Sequence, residues 1–168
     1  MKLISGLIAT ALGHGRMMEP PSRSSYRHLP DDPNIAPFWD VVVPNWQDNE
    51  LFCGGFGVQV SQIRQSFIVN EYFKVQNGYK CGICGDNWRD SRPRPNELGG
   101  TFGSTGIIPR TYESNGIMPV SIQLTTHHQG WFEFKLCEIG PNETTENEAC
   151  FDSSNSILEL ESGGTRFR

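Results

Sequence analysis

Two runs of the chain, MPVSIQLTT (118–126) and GWFEFKLCEI (130–139), alternate apolar and polar residues with a period of two. Val120, Ile122 and Leu124 fall on one side of the first run. Phe132, Phe134 and Leu136 fall on one side of the second, with Trp131, Glu133 and Lys135 opposite. Only a strand puts alternate side chains on one face, so both runs are expected to be half-buried β-strands. The connection HHQG (127–130) makes them a predicted β-hairpin. Elsewhere 18 glycines and 11 prolines interrupt the chain at short intervals, which disfavours helical bundles. The expected fold is mainly β: an antiparallel sandwich of the immunoglobulin/fibronectin-like kind with long loops.

The remaining segments are less periodic. Residues 14–50 are rich in proline and turn formers and read as an extended stretch wrapped on a core. LFCGGFGVQV (51–60) reads as a short buried strand with a glycine bend, and SFIVNEYFKV (66–75) is β-prone. Residues 78–100 are rich in glycine, cysteine and proline and read as a disulfide-pinned loop. The last residues, 151–168, hold one short strand candidate. There are no internal repeats.

Met1 to Gly13 is laid out as a secretory signal: Lys2, an apolar run from Leu3 to Leu12, then the small residues Ala11 and Gly13 at a cleavage site. The run is too short to span a bilayer, which takes about 20 residues. The expected organisation is therefore a signal peptide at 1–13 and one domain at 14–168, exported from the cell. The formal net charge is −5 and no basic run occurs, so a nucleic-acid partner is not expected. No other segment calls for a membrane.

An exported chain is expected to pair its cysteines. There are five, Cys53, Cys81, Cys84, Cys137 and Cys150, so one is left over. Cys137 ends the second alternating run and Cys150 returns after a polar stretch, which pairs these two. Cys53 is expected to pair with Cys81 or with Cys84. Zinc at Cys81 and Cys84 is the weaker reading, since no second Cys-x-x-Cys exists and His127 and His128 are adjacent rather than spaced. Asn142 opens the chain's one N-glycosylation sequon.

Cleavage after Gly13 would leave His14 first, with a free α-amino group beside its imidazole. Those two nitrogens on one residue suit metal chelation. Glu97, in PRPNELGG (93–100), reads as an ordinary loop glutamate, and no nucleophile–base arrangement is visible.

Seven blocks now fall into order: HGRMMEPPSRSS (14–25), DNELFCGGF (48–56), KCGICGD (80–86), PRPNELGG, TGIIPRTY (105–112), HHQGWFEFKLC (127–137) and CFD (150–152). Together they resemble the arthropod-type lytic polysaccharide monooxygenases, the fifteenth auxiliary-activity family, whose region is also called a chitin-binding type-4 domain. The resemblance implies a sandwich with a flat face that docks on chitin or cellulose. It implies one copper ion held by the amino and ring nitrogens of His14 and by a second histidine. Asn96 stands where the resemblance puts that histidine. An amide is a poor copper ligand beside imidazole, so the expected copper site is weakened. The alternative to an enzyme is then a non-catalytic chitin-binding module, or an incomplete gene model of an active enzyme. His128 matches a position near the copper and is expected to tune the site rather than to ligate. Tyr26 and Trp46 are the candidate sugar-contacting aromatics. The resemblance further implies that the C-terminal part of the domain, with an axial tyrosine, is missing after Arg168. It also implies that SQIRQSFIVNEYFK (61–74) is inserted, as an added strand or loop or at a misplaced exon boundary. The expected partner is a polysaccharide surface, and the chain is expected to be a monomer.

Overall fold

The computed structural model describes residues 14–51, 53–55, 60–63, 72–75, 80–127, 129–140, 143–146 and 148–168. The expected signal peptide, His128 and Asn142 lie outside the described residues. Strands β1 (His14–Glu19) and β4 (Ser121–Thr126) pair antiparallel, as do β2 (Val60–Ile63) and β3 (Tyr72–Val75). One short helix, α1 (Glu148–Asp152), and several 3-10 turns, among them Arg23–His28 and Ala36–Val41, complete the regular structure of the described residues. None of these helices is long and apolar enough to cross a membrane.

The pairing of β4 corrects one expectation. Its alternation is that of a strand, but its partner is β1, in the register His14↔Thr126, Gly15↔Leu124, Arg16↔Gln123, Met17↔Ile122 and Glu19↔Ser121. Residues 130–139 do not fold back on it as a hairpin. They meet the end of the chain instead, through the bridges Phe132↔Phe167 and Lys135↔Ile157. Period-two patterning says that a segment is a strand and not which strand it joins. The stretch 14–50 opens, correspondingly, with a regular strand rather than with extended coil. Gly15 makes this close pairing possible, since a β-carbon there would lie 3.0 Å from Leu124 Cδ2 and 3.2 Å from Gln123 O.

The alternating apolar faces are only partly covered. Ile122, Phe132 and Phe134 are half-buried, whereas Leu124 and Leu136 are exposed. The described residues place no second layer over that side of β4. Their most buried apolar side chains are Tyr26 and Ile35, and most other buried positions are polar: Ser25, Asn45, Asp48, Asp86, Arg94, Asn96, Glu97 and Glu146. Buried polar groups of this kind must be paired to be tolerated.

Of the expected buried strand at 51–60, residues 52 and 56–59 lie outside the described residues; Cys53, Gly54 and Gly55 have φ of 60°, 85° and 86°, not those of a strand, and Val60 begins β2. Ile63 pairs with Tyr72, so the apparent insertion at 61–74 contributes most of a two-stranded ladder. That ladder lies inside the loop closed by Cys53–Cys81, whose Cα atoms are 4.8 Å apart. The second bridge is Cys137–Cys150, as expected. Cys84 is free. It lies at the surface, but protein crowded around its sulfur pushes the thiol pKa up to about 11, so at neutral pH it is a thiol and not a reactive thiolate.

Peptide mapping without reduction should recover Cys53 joined to Cys81 and Cys137 joined to Cys150, with Cys84 alone modified by a thiol reagent after unfolding. A Cys53–Cys84 peptide would overturn this pairing. Removing the Cys137–Cys150 bridge by paired serine substitution should cost roughly 3 kcal/mol of stability in a denaturant titration, the loop-closure value for a loop of this size.

Candidate functional site

His14 begins β1, and the register sets it across from Thr126 at the end of β4. His127 follows Thr126, and His128 follows His127 in sequence. A groove of about 560 Å³ opens here, lined by His14, Arg16, Leu124, His127, Trp131 and Phe167 among others. The His14 backbone is fixed from both sides. The Gly15 N–H donates to Asn49 O at 3.0 Å, the Asn49 amide donates to Thr125 Oγ1 at 3.0 Å, and that hydroxyl donates to His14 O at 3.3 Å. The His14 ring is mostly buried, and its Nε2 lies 3.5 Å from Glu50 Oε1. His127 is exposed, and its Nδ1 accepts from the Gln129 N–H at 3.3 Å.

Beneath this, Asp48 is buried and receives the guanidinium groups of Arg16 and Arg27 and the ring of His28. Arg16 reaches both carboxylate oxygens at 2.8 Å, Arg27 Nη2 reaches Oδ1 at 3.0 Å, and His28 Nε2 lies 2.9 Å from Oδ2. Arg16 Nη1 also meets His28 Nε2 directly. Burial pushes the Asp48 carboxyl up. The hydrogen bonds and charges of Arg27 and Arg16 outweigh it and hold the group below the usual carboxylate range. His28 is shifted down by burial and by the Arg16 charge, against the pull of Asp48.

Asn96 is not in this groove. It is 1% exposed, its side-chain amide donates to Asp86 Oδ1 at 2.7 Å and its backbone N–H donates to Asp86 Oδ2 at 2.8 Å. Arg23 donates to its carbonyl, and its own Oδ1 is buried without a partner. Burial raises the Asp86 pKa in spite of the Asn96 hydrogen bonds. The Asn96 side chain is thus enclosed against Asp86 and does not line the groove at His14. Its neighbour Glu97 is not a solvated loop residue either. It is wholly buried, and burial, which would raise its pKa, is overcome by the Arg94 N–H and by the Arg92 and Arg94 side chains. Arg94 continues to Glu148 at 2.5 Å, and Arg23 pairs with Glu146. PRPNELGG is thus a structural hub joining the loop at 92–97 to α1 and to the Arg23–His28 turn.

The two expected aromatics separate. Tyr26 is 3% exposed, with its hydroxyl directed to Ile107 O at 3.4 Å, so it cannot touch a polysaccharide face. Trp46 is 77% exposed, with the Arg27 guanidinium 4.8 Å from its ring centroid. Phe38, Trp39, Val41 and Val43, in the stretch leading to Trp46, are exposed too. Sequence reasoning passed over Asp48 and Glu50, which stand among many acidic residues. The block DNELFCGGF contains both, and the run of Asp, Asn and Glu before a disulfide cysteine was the available signal.

Among the described residues no three His, Cys, Asp or Glu side chains converge to hold a metal ion. Among the described residues, the ring nitrogens that line this groove are those of His14 and His127.

The model of a family described as lytic polysaccharide mono-oxygenase, cellulose-degrading, matches residues 14–163. A solved structure of a lytic polysaccharide monooxygenase, AA15, from Thermobia domestica in the Cu(I) state is similar in fold, with a TM-score of 0.68 and 39% sequence identity. The match covers 92% of this chain and 66% of that one, so the chain spans just under two thirds of its relative's length. The fold is accordingly the antiparallel β-sandwich class expected from the alternating runs. No curated protein sequence matches the chain.

The charge cage at Asp48 carries a prediction. A carboxyl whose folded pKa is depressed lends stability above its unfolded pKa, about 3.9, and that stability is lost as pH falls through the folded value. Asp48→Asn should therefore lower stability at pH 7 by about 3–5 kcal/mol, since it leaves buried cations unmatched. It should also flatten the fall in stability that the parent protein shows below pH of about 4. Urea titrations of both proteins across that range check it, and parallel curves would count against the cage.

Proposed function

The chain belongs to the lytic polysaccharide monooxygenases, and from that premise we propose that it is an exported domain that binds one copper ion at His14 and oxidatively cleaves chitin or cellulose. The observation that carries this reading is the β1–β4 register. It sets His14 across from Thr126, and His127, next in sequence, lines the same groove, which supports the pair His127-His128 as the second source of imidazole. Cleavage after Gly13 would free the His14 amino group. The family match starts at the same residue, which supports that processing. The amino nitrogen and Nδ1 of one histidine close a six-membered chelate ring on a metal, and His128 would complete the set, with His127 as the second candidate.

Copper, when bound, supplies the redox chemistry by which a ring carbon beside a glycosidic bond is oxidised. The residues of this chain hold the donors and present the surface. Asn49 and Thr125 fix the His14 backbone. The exposed Trp46, with Phe38 and Trp39 on the stretch before it, supplies flat apolar surface of the kind that stacks on sugar rings. The reading of a non-catalytic module drew on Asn96 as a lost ligand. The enclosure of Asn96 against Asp86, outside the groove at His14, supports setting it aside as a lost ligand.

Copper titration of the protein processed to His14 separates the candidates. His14→Ala should abolish tight Cu(II) binding. His128→Ala should weaken it by at least about tenfold, because a nitrogen ligand is lost. Asn96→Ala should leave copper affinity unchanged and lower thermal stability, and Asn96→His should bring no gain. With a reductant, oxidised oligosaccharides should appear from chitin or from cellulose, and should disappear in His14→Ala. Copper binding that survives His128→Ala and fails in Asn96→Ala would overturn the assignment.

A further inference from the structure

The segment 45–50 is built to a higher standard than an ordinary surface loop. The Gln47 N–H donates to Asn45 Oδ1 and the Glu50 N–H to Gln47 O, both at 2.9 Å, closing two consecutive turns. Arg27 Nε donates to Asn45 O at 2.6 Å. Asp48, between the turns, is locked by Arg16, Arg27 and His28. Asn49 then grips both strands of the β1–β4 pair, through its carbonyl to Gly15 and its side chain to Thr125. The contacts of Asn45 O, Asp48 and Asn49 tie the loop to β1, to β4 or to the turn after β1. The residue delivered at the end of this scaffold is Glu50, whose carboxylate faces the Nε2 side of the His14 ring.

We propose that Glu50 is a positioning residue for His14, holding the ring proton on Nε2 and so leaving the Nδ1 lone pair free toward the amino-terminal side. This rests on the reading of His14 as a copper chelate. A neutral imidazole carries one proton on either nitrogen, and the partner of one nitrogen decides which is bare. Only Nδ1 can share an ion with the α-amino group of the same residue, since Nε2 lies on the far side of the ring. A carboxylate at Nε2 selects the chelating tautomer, fixes the ring plane and makes the ring a stronger donor, as carboxylates behind metal-bound histidines do. The competing assignment of Glu50 as a metal ligand places the ion on the wrong edge of the ring. The competing assignment of a solvated surface pair draws on the partial exposure of Glu50 and predicts no effect on the ring.

The test uses protein processed to His14, comparing the parent chain with Glu50→Ala, Glu50→Gln and Glu50→Asp. Nitrogen-15 NMR of the metal-free protein at a fixed pH of about 8, where an ordinary imidazole is neutral, reads the His14 tautomer without copper. The parent should carry the proton on Nε2. Glu50→Ala should give a mixture of tautomers, with Glu50→Gln and Glu50→Asp between the two. Cu(II) affinity should fall by about tenfold in Glu50→Ala, within the range seen for residues behind metal ligands. The EPR signature of a nitrogen-coordinated Cu(II) should be retained with a changed hyperfine splitting, and thermal stability should stay the same. Identical tautomers in the parent and Glu50→Ala would overturn the proposal, and so would loss of an oxygen ligand from the EPR spectrum. If the parent binds no copper, the functional reading falls, while the tautomer measurement still decides the role of Glu50.

Discussion

Asp48 is the point to which this molecule is tied. Its carboxylate collects Arg16 from β1 and Arg27 and His28 from the turn that follows, and in doing so it fixes the loop at 45–50. The partners come from two stretches of chain besides the loop itself, so the cage does the joining that a cluster of leucines does in an ordinary core. Burying such charges is costly, and the cost is met only when nearly every donor and acceptor is matched. Arg16 Nε is the exception in this cage, a buried donor without a partner. What the arrangement provides is direction: an apolar contact tolerates rotation and sliding, whereas charge-assisted hydrogen bonds from Arg16 and Arg27 hold the carboxylate in a narrow range of orientations.

The same logic recurs on the other side of the chain. Glu97, Arg94, Arg92, Glu146 and Glu148 form a second buried network, and Arg110 bridges Glu19 and Asp32 with Tyr112 closing on Glu19 at 2.6 Å. Three ionic knots therefore brace a region with few regular elements. Short strands and 3-10 turns leave many backbone groups outside ladders, and such segments hold a unique shape only if side chains specify it. The precision needed at His14 comes from these knots more than from the β1–β4 ladder alone.

What the sequence disclosed follows from the range of each signal. The alternation of 118–126 is a local property, and it identified a strand. The partner is a long-range property, and the eye supplied the nearest one, the run at 130–139, where the fold uses His14–Glu19. That single substitution of partners had a consequence for the site. The ligand position in PRPNELGG came from the resemblance, and no local signal tied the histidine pair to His14. Once β1 lies on β4, His127 lines the groove at His14 and Asn96 lies outside it. Tyr26 and Trp46 show the same limit: both are aromatic and polar-tipped, and only tertiary packing sends one inside and leaves the other in solvent. The disulfide at Cys137 and Cys150 was legible because strand end, polar loop and return all lie within a short stretch.

The ladder of β2 and β3 sits on a closed ring of chain whose two ends are clasped by Cys53 and Cys81. Beyond such a clasp, length carries almost no thermodynamic weight: doubling a flexible loop costs only about 0.6 kcal/mol. Residues can be added or removed there while the chain on either side keeps its place, with Cys53 N still bonded to Gly85 O and Asn49 still bonded to Gly15. The clasp therefore acts as a firewall for evolution. It separates a stretch in which added length is cheap from the strands and turns that fix the His14 backbone.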